Sequence, residues 1–274
     1  LSGSDIKINE FGLAQKVGES GVLGLTVNSM SFGDNYITTV ELPEGGIGTF
    51  SPSFLNIGVS YSKTFSNSIY GGLTVKVLNE SLASVKSTGI AIDAGVKYVT
   101  GKYEQIQFGI TLRNVGPPMK YSGNGLSVRT DLPENSTVRT LSQRSAEYEI
   151  PSQILIGLSY DFFLSDIDTI NNKLSSMHRL SVAGNFTSNS FTRDQINLGV
   201  EYAFKEMFMI RGGYVYEEDA LDEDLTRTTL VGPTGGASIL YPLGKSGTQI
   251  GLDYSYRATR SFDGIHTIGV RLSL

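Results

Sequence analysis

The stretch INLGVEYAFKEMFMIRGGYVY, Ile196 to Tyr216, decides how the rest of the chain is read. Apolar Ile196, Leu198, Val200, Tyr202 and Phe204 alternate with Asn197, Gly199, Glu201 and Ala203, the period of two that marks a strand. After Lys205 to Met207 the alternation resumes, with Phe208, Ile210, Tyr214 and Tyr216 opposite Arg211 and Gly213. Two such strands, each of about ten residues and joined by a tight turn, have the length of a tilted strand that crosses a bilayer.

Working outward, the same alternation covers Leu55 to Tyr61, Ile69 to Val77, Ile90 to Tyr98, Ile106 to Leu112, Ile154 to Phe162, Ile250 to Tyr256 and Ile268 to Leu274. Weaker strands fit near 6 to 17, 21 to 33, 178 to 188 and 227 to 241. A soluble sandwich also alternates, but it turns Lys, Glu and Thr to solvent. Here the polar positions are Gly, Ser, Asn and isolated charges of both signs, which suits a crowded interior. Tyr61, Tyr98, Tyr160, Phe162, Tyr202, Phe204, Tyr216 and Tyr256 stand near strand ends, where aromatic girdles sit on a membrane barrel. The reading is all-β: a transmembrane antiparallel up-and-down β-barrel forming one domain over residues 1–274, with the soluble sandwich as the alternative. About thirteen strands are counted, whereas bacterial single-chain barrels have an even number. The expectation is therefore about fourteen strands in the full protein, with one strand preceding Leu1.

Composition bounds the function. Of 274 residues, 39% are hydrophobic, 18% charged and 32 are Gly. No run approaches the ~18 apolar residues of a membrane-spanning helix. A net charge of -5 leaves no basic surface for a phosphate backbone, so nucleic acid is not an expected partner. Cysteine is absent, which removes disulfides, thiolate metal sites and a Cys nucleophile.

The connections alternate in length as a barrel requires. Short joints fall at Gly18 to Gly21, Thr64 to Ser68, Thr100 to Gln105, Lys205 to Met207 and Leu243 to Thr248, and long ones at 34 to 52, 114 to 151 and 217 to 227. The exception is 164 to 177, a polar connection on the periplasmic side in which DIDTINNKLSSM is expected to form a short helix.

Several segments resemble the PorV/PorQ family of the Bacteroidetes type IX secretion system, itself similar to the FadL-like barrels. They are SDIKINEFGLAQKVGESGVLGLTVNSMSFGD (Ser4 to Asp34), IDAGVKY (Ile92 to Tyr98), FGITLRNVGPPMKY (Phe108 to Tyr121), Ile196 to Tyr216, and the C-terminal LDYSYRATRSFDGIHTIGVRLSL. The family's N-terminal Asn-Pro-Ala segment and first strand have no counterpart here, and the resemblance implies that an N-terminal plug and that strand precede Leu1. The resemblance implies an outer-membrane component of type IX protein secretion, in contact with membrane lipid. It would bind secreted cargo or translocon, sortase or attachment partners through its loops or wall. The alternative is transport, by a FadL-like channel for hydrophobic compounds or a narrow porin.

On the polar faces, Lys76, Lys97, Arg113, Arg211, Arg257 and Arg271 meet Asp93, Asp161, Glu201 and Asp253 in similar number. They are read as a lumen charge network that pairs and closes the interior, because unpaired charge there is costly; a selectivity ring is the alternative, and an apolar ligand slot is less favoured because most lumen positions are polar or Gly. In the long loops Tyr36, Leu42, Ile47, Met119, Tyr121, Leu126 and Tyr148 are candidate apolar anchors for a protein partner, the alternative being loops that merely cap the mouth. The acidic run Glu217, Glu218, Asp219, Asp222, Glu223 and Asp224 lacks the spacing of a calcium loop and is read as a solvated loop. His178 and His266, with Ser176 and Ser261 near them, do not by themselves make a triad. Gly232 to Ser238 lacks the Gly-Lys-Ser/Thr ending of a phosphate loop. No catalytic residue, cofactor or metal is expected.

Overall fold

The computed structural model describes residues 6–131, 138–170, 173–218, 230–244, 247–259 and 264–274. The chain begins with β1 (Lys7–Val17), β2 (Gly21–Ser31), the short β3 (Asn35–Tyr36) and β4 (Thr49–Phe50), then β5 (Ser53–Thr64), β6 (Ile69–Leu82), β7 (Val85–Thr100) and β8 (Ile106–Val115). The following loop holds β9 (Met119–Lys120), a 3-10 turn at Asn124–Leu126, β10 (Ser127–Asp131), β11 (Val138–Ser142) and β12 (Glu147–Tyr148). Next come β13 (Gln153–Phe163), the short β14 (Ile167–Ile170) and β15 (Lys173–Ser176), β16 (His178–Asn189), β17 (Gln195–Phe204), β18 (Phe208–Glu217), β19 (Gly232–Pro242), β20 (Gln249–Arg257) and β21 (Ile265–Ser273).

Thirteen strands form one antiparallel sheet in the order β1-β2-β5-β6-β7-β8-β13-β16-β17-β18-β19-β20-β21. Each long strand neighbours the next in sequence, which is the up-and-down arrangement expected from the short joints. The chain divides into two compact units. Unit 1 comprises Leu1–Phe65, Gly71–Ala94 and Arg113–Pro151, and unit 2 comprises Ser66–Tyr70, Gly95–Leu112 and Ser152–Leu274.

Burial along the strands is the reverse of that in a soluble protein. On β13 the apolar set Ile154, Ile156, Leu158, Tyr160 and Phe162 is 39 to 57% exposed, while the intervening Leu155, Gly157, Ser159 and Asp161 are half-buried. The apolar face of β17 and β18 behaves alike, with Leu198 at 62% and Ile210 at 64%. Continuous exposed apolar surface on this scale needs a nonaqueous partner, and hydrocarbon supplies it.

The segment 164 to 177 departs from expectation. Instead of a helix it holds the antiparallel pair β14 and β15, with Ile167 opposite Ser176 and Ile170 opposite Lys173. The β-branched Ile167, Thr169 and Ile170 favour extended backbone. Both long loops also contain strand pairs, β3 with β4 in 34 to 52 and β9 with β12 and β10 with β11 in 114 to 151. Residues Asp219, Asp222, Glu223 and Asp224 of the acidic run, and Ser261, lie outside the described residues.

Candidate functional site: the polar faces

In unit 2 the register lines up one row of polar side chains. Asp161 on β13 is paired with Ser181 on β16, Ser181 with Glu201 on β17, and Glu201 with Arg211 on β18. The Ser181 hydroxyl donates to Asp161 Oδ1 at 2.5 Å and accepts from Arg179. Arg211 Nε donates to Glu201 Oε2 at 2.5 Å. Gly236 faces Arg211 on β19 with no side chain in the way, and the guanidinium reaches past it to Ser238 Oγ at 2.6 Å. Ser238 donates to Asp253 on β20, and Asp253 Oδ2 meets Arg271 Nη2 of β21 at 3.0 Å. With Gln107 of β8 donating to Asp161 at 3.4 Å, a continuous belt of hydrogen bonds and ion pairs crosses eight strands.

Arg179 is the hub of this belt, and the sequence pattern alone does not single it out. Its guanidinium meets Glu201 at 2.8 Å, Glu206 at 2.7 Å and Asp161 at 3.6 Å, with only 16% of its side chain exposed. Glu206 comes from the tight turn between β17 and β18, where Lys205 and Glu206 both adopt positive φ, 52° and 53°. That pair of angles is the I′ geometry that matches strand twist, and it aims the carboxylate back over the sheet.

Unit 1 has its own pair. Lys76 Nζ lies 2.6 Å from Asp93 Oδ1, with 11% and 21% of the two side chains exposed. Asn114 completes it, accepting from Lys76, donating its backbone N–H to Asp93 at 2.8 Å and its amide to the Pro151 carbonyl at 3.0 Å. Of the expected network, Lys76, Asp93, Asp161, Glu201, Arg211, Asp253 and Arg271 are thus joined into two groups. No ion pair joins Lys97, Arg113 or Arg257 to a carboxylate among the described residues.

The loop candidates separate into two sets. Tyr36, Leu42 and Ile47 are exposed at 69, 51 and 52%. Met119 is buried at 3% and packs with Ala91 and Ile150, with Leu78 and Tyr148 against them. Tyr121 and Tyr148 stack at 5.2 Å between ring centroids, and both hydroxyls donate to Glu80 Oε2, at 2.6 and 2.9 Å. The hydrogen bond to Glu80, helped by burial, pushes the Tyr121 pKa well above the ordinary phenol value, and burial raises that of Tyr148. Leu126 is half-buried at the end of the 3-10 turn.

The acidic run is not uniformly solvated. Glu217 shares the polar face of β18 with Val215 and is 1% exposed, because alternation continues to the strand's last residue. Its Oε2 accepts from Gln195 at 2.9 Å. The histidines pair with tyrosines, His178 Nδ1 with Tyr202 at 2.7 Å and His266 Nδ1 with Tyr254 at 2.9 Å. Ser176 instead donates to the His178 carbonyl at 3.0 Å.

A meander of thirteen antiparallel strands, apolar on its exposed face and charge-paired on the other, defines the class: a transmembrane β-barrel. Among solved structures, a CymD monoaromatic hydrocarbon channel aligns with 97% of this chain and 83% of its own, with TM-score 0.50 and 13% sequence identity. That likeness shows the fold, a transmembrane β-barrel. No protein-family model matches the chain, and no curated protein matches it. The PorV/PorQ resemblance therefore has no support from these comparisons, whereas the barrel class does.

Proposed function

We propose that this chain is a non-enzymatic outer-membrane channel protein for small hydrophobic compounds, its apolar face in lipid and its polar faces lining the lumen. The observation that carries this reading is the likeness, over nearly the whole chain, to a hydrocarbon channel. The interior chemistry agrees with it. The belt of unit 2 offers hydrated ions no row of one uncompensated sign, as a selectivity ring would. Unit 1 instead packs apolar Ala91, Met119 and Ile150 together, with Leu78 against them, on the face of β7 that carries Asp93.

The test is uptake by cells that express the full-length protein in an outer membrane lacking other hydrocarbon channels. Toluene uptake is expected to exceed that of vector-only cells several-fold, with no gain for a hydrophilic sugar. Sugar passage with no gain in toluene would leave a narrow porin.

A second reading, a docking component of type IX secretion, is supported by the exposed Tyr36, Leu42 and Ile47, which would meet cargo or a translocon, sortase or attachment partner. Pull-down of the full-length protein from its native membrane tests it. Co-purification of such a chain, lost when Tyr36, Leu42 and Ile47 are changed together to Ser, favours docking over transport.

A further inference from the structure

The lumen side of β6 and β7 changes character within two residues. Lys76 and Asp93 are an ion pair, and the next positions on the same faces are Leu78 and Ala91. Ala91 is fully buried, and its cover comes from the loop between β8 and β13: Met119 from one arm and Ile150 from the other. Gly89 makes the seat deep enough, since a Cβ there would stand 2.5 Å from Met119 Cγ and 2.6 Å from its Sδ. Methionine is flexible and polarizable, a side chain that fills irregular apolar space and repacks readily.

The bonds that hold this arm are scattered single contacts and not a long ladder. Lys86 and Ser122 exchange two backbone hydrogen bonds of 2.8 and 2.9 Å, and β9 pairs with β12 over two residues each, whereas β1 and β2 pair over eleven. Gly125 donates its N–H to the Ser84 carbonyl at 3.3 Å, Tyr121 its N–H to Ser145 Oγ at 2.9 Å, and Leu126 accepts from the Gln143 N–H at 2.8 Å, while Glu80 Oε2 accepts from Tyr121 on one arm and Tyr148 on the other. Loss of that one acceptor frees the tyrosine hydroxyls of both arms.

We propose that Met119 is the resident plug of a binding seat for a small aromatic hydrocarbon, and that the strap Gly116 to Leu126 lifts when such a molecule displaces it. The seat is walled by Leu78, Ala91 and Ile150 and flanked by the stacked Tyr121 and Tyr148 rings. Its dry, apolar character suits a benzene-sized guest, and ring edges and faces complement those of the tyrosines. The inference rests on the channel reading for the supply of solute, while occupancy of the seat is measurable by binding alone.

The test is methyl-13C NMR of the full chain in detergent micelles, with labelled methionine, titrated with toluene. Met30, Met119, Met177, Met207 and Met209 are the chain's methionines. The Met119 methyl is expected to shift saturably while the other four hold still. A lock supplies the second arm of the test. Lys86 and Ser122 form a hydrogen-bonded antiparallel pair, for which Cα atoms stand about 5.5 Å apart, within disulfide reach. The chain has no other cysteine to interfere. Oxidised Lys86→Cys/Ser122→Cys is expected to lose the Met119 shift and to drop toluene uptake to the vector level, with both restored by reductant. A silent Met119, or five methyls that drift together with toluene, overturns the seat. Uptake that survives the lock overturns the strap and leaves the channel reading standing. A responsive Met119 in a chain that gives no uptake supports the seat and overturns the channel reading.

Discussion

Arg179 Nη2 lies 2.8 Å from Glu201 Oε1, while the same guanidinium turns its Nε toward Glu206 Oε1 at 2.7 Å. One cation therefore faces carboxylates from the wall and from the turn, with Asp161 as a third at 3.6 Å. Its removal leaves several part-buried carboxylates short of a counter-charge, which costs more than the pair itself contributes. Arg179→Ala is expected to destabilise the folded barrel by about 3 kcal/mol, and Arg179→Lys by less, since it keeps the charge but loses the planar fork. Urea unfolding in lipid vesicles, followed by the heat-modifiable gel shift, checks the order; equal stability of wild type and Arg179→Ala would remove the hub role.

The Glu80 latch makes a pH prediction. A tyrosine whose folded pKa is raised holds its proton longer in the folded chain than in the unfolded one. The latch's stabilisation is then complete below the unfolded value, about pH 10, and is lost as pH rises through the raised folded value. Ultraviolet titration of tyrosinate is expected to show late-ionising phenols, Tyr121 among them. Glu80→Gln removes the charged acceptor and is expected to bring Tyr121 back toward the ordinary range. Unchanged titration in that variant would show that burial alone sets the shift.

Strand positions were legible in the sequence because the period of two persists on both sides of tight joints, as at Phe204 and Phe208. The belt was legible where a charge interrupts a clean apolar alternation, as Glu201 and Arg211 do. Arg179 is not legible in the sequence because HRLSVAGNF starts with a histidine and carries Gly184 on its apolar face, so its period is weak. Glu206 sits in a turn, where no periodicity reports direction. The loop anchors were the least legible: an apolar loop residue such as Met119 reads alike whether it faces a partner or folds back onto Ala91. Only the glycines at the contact carry that information, and glycine is common throughout this chain.

Gly116 is one of those glycines. A Cβ there would stand 2.1 Å from the Ile90 carbonyl oxygen and 3.1 Å from Ile150 Cδ1, and the backbone atom cannot swing aside as a side-chain tip would. Gly116→Ala is expected to push the strap off β7 at a cost of about 1–3 kcal/mol. The readout is faster hydrogen exchange at Lys86 and Ser122, whose amides are bonded across the contact. Gly212→Ala is the control, because nothing lies within 4 Å of its added Cβ. Slow exchange retained in Gly116→Ala would mean that the strap stays on β7 despite the added Cβ.

The apolar face gives the sharpest separation of a membrane barrel from a soluble one. Val200 lies midway along β17 and is 48% exposed, paired across the sheet with Val182 and Gly212. On a water-facing surface, Val200→Arg would change stability by no more than about 0.5 kcal/mol. In hydrocarbon the guanidinium must be desolvated or drag water with it, which at mid-depth costs about 2–4 kcal/mol. The adjacent Gly199 points to the opposite face, where an added Cβ meets only the Gly212 carbonyl oxygen at 3.7 Å, so Gly199→Ala is expected to be tolerated. Reversible folding into vesicles of defined thickness, with both variants side by side, measures the difference. A large loss for Val200→Arg with little for Gly199→Ala places the Val200 face in lipid; a near-neutral Val200→Arg would place it in water and return the fold to a soluble sandwich.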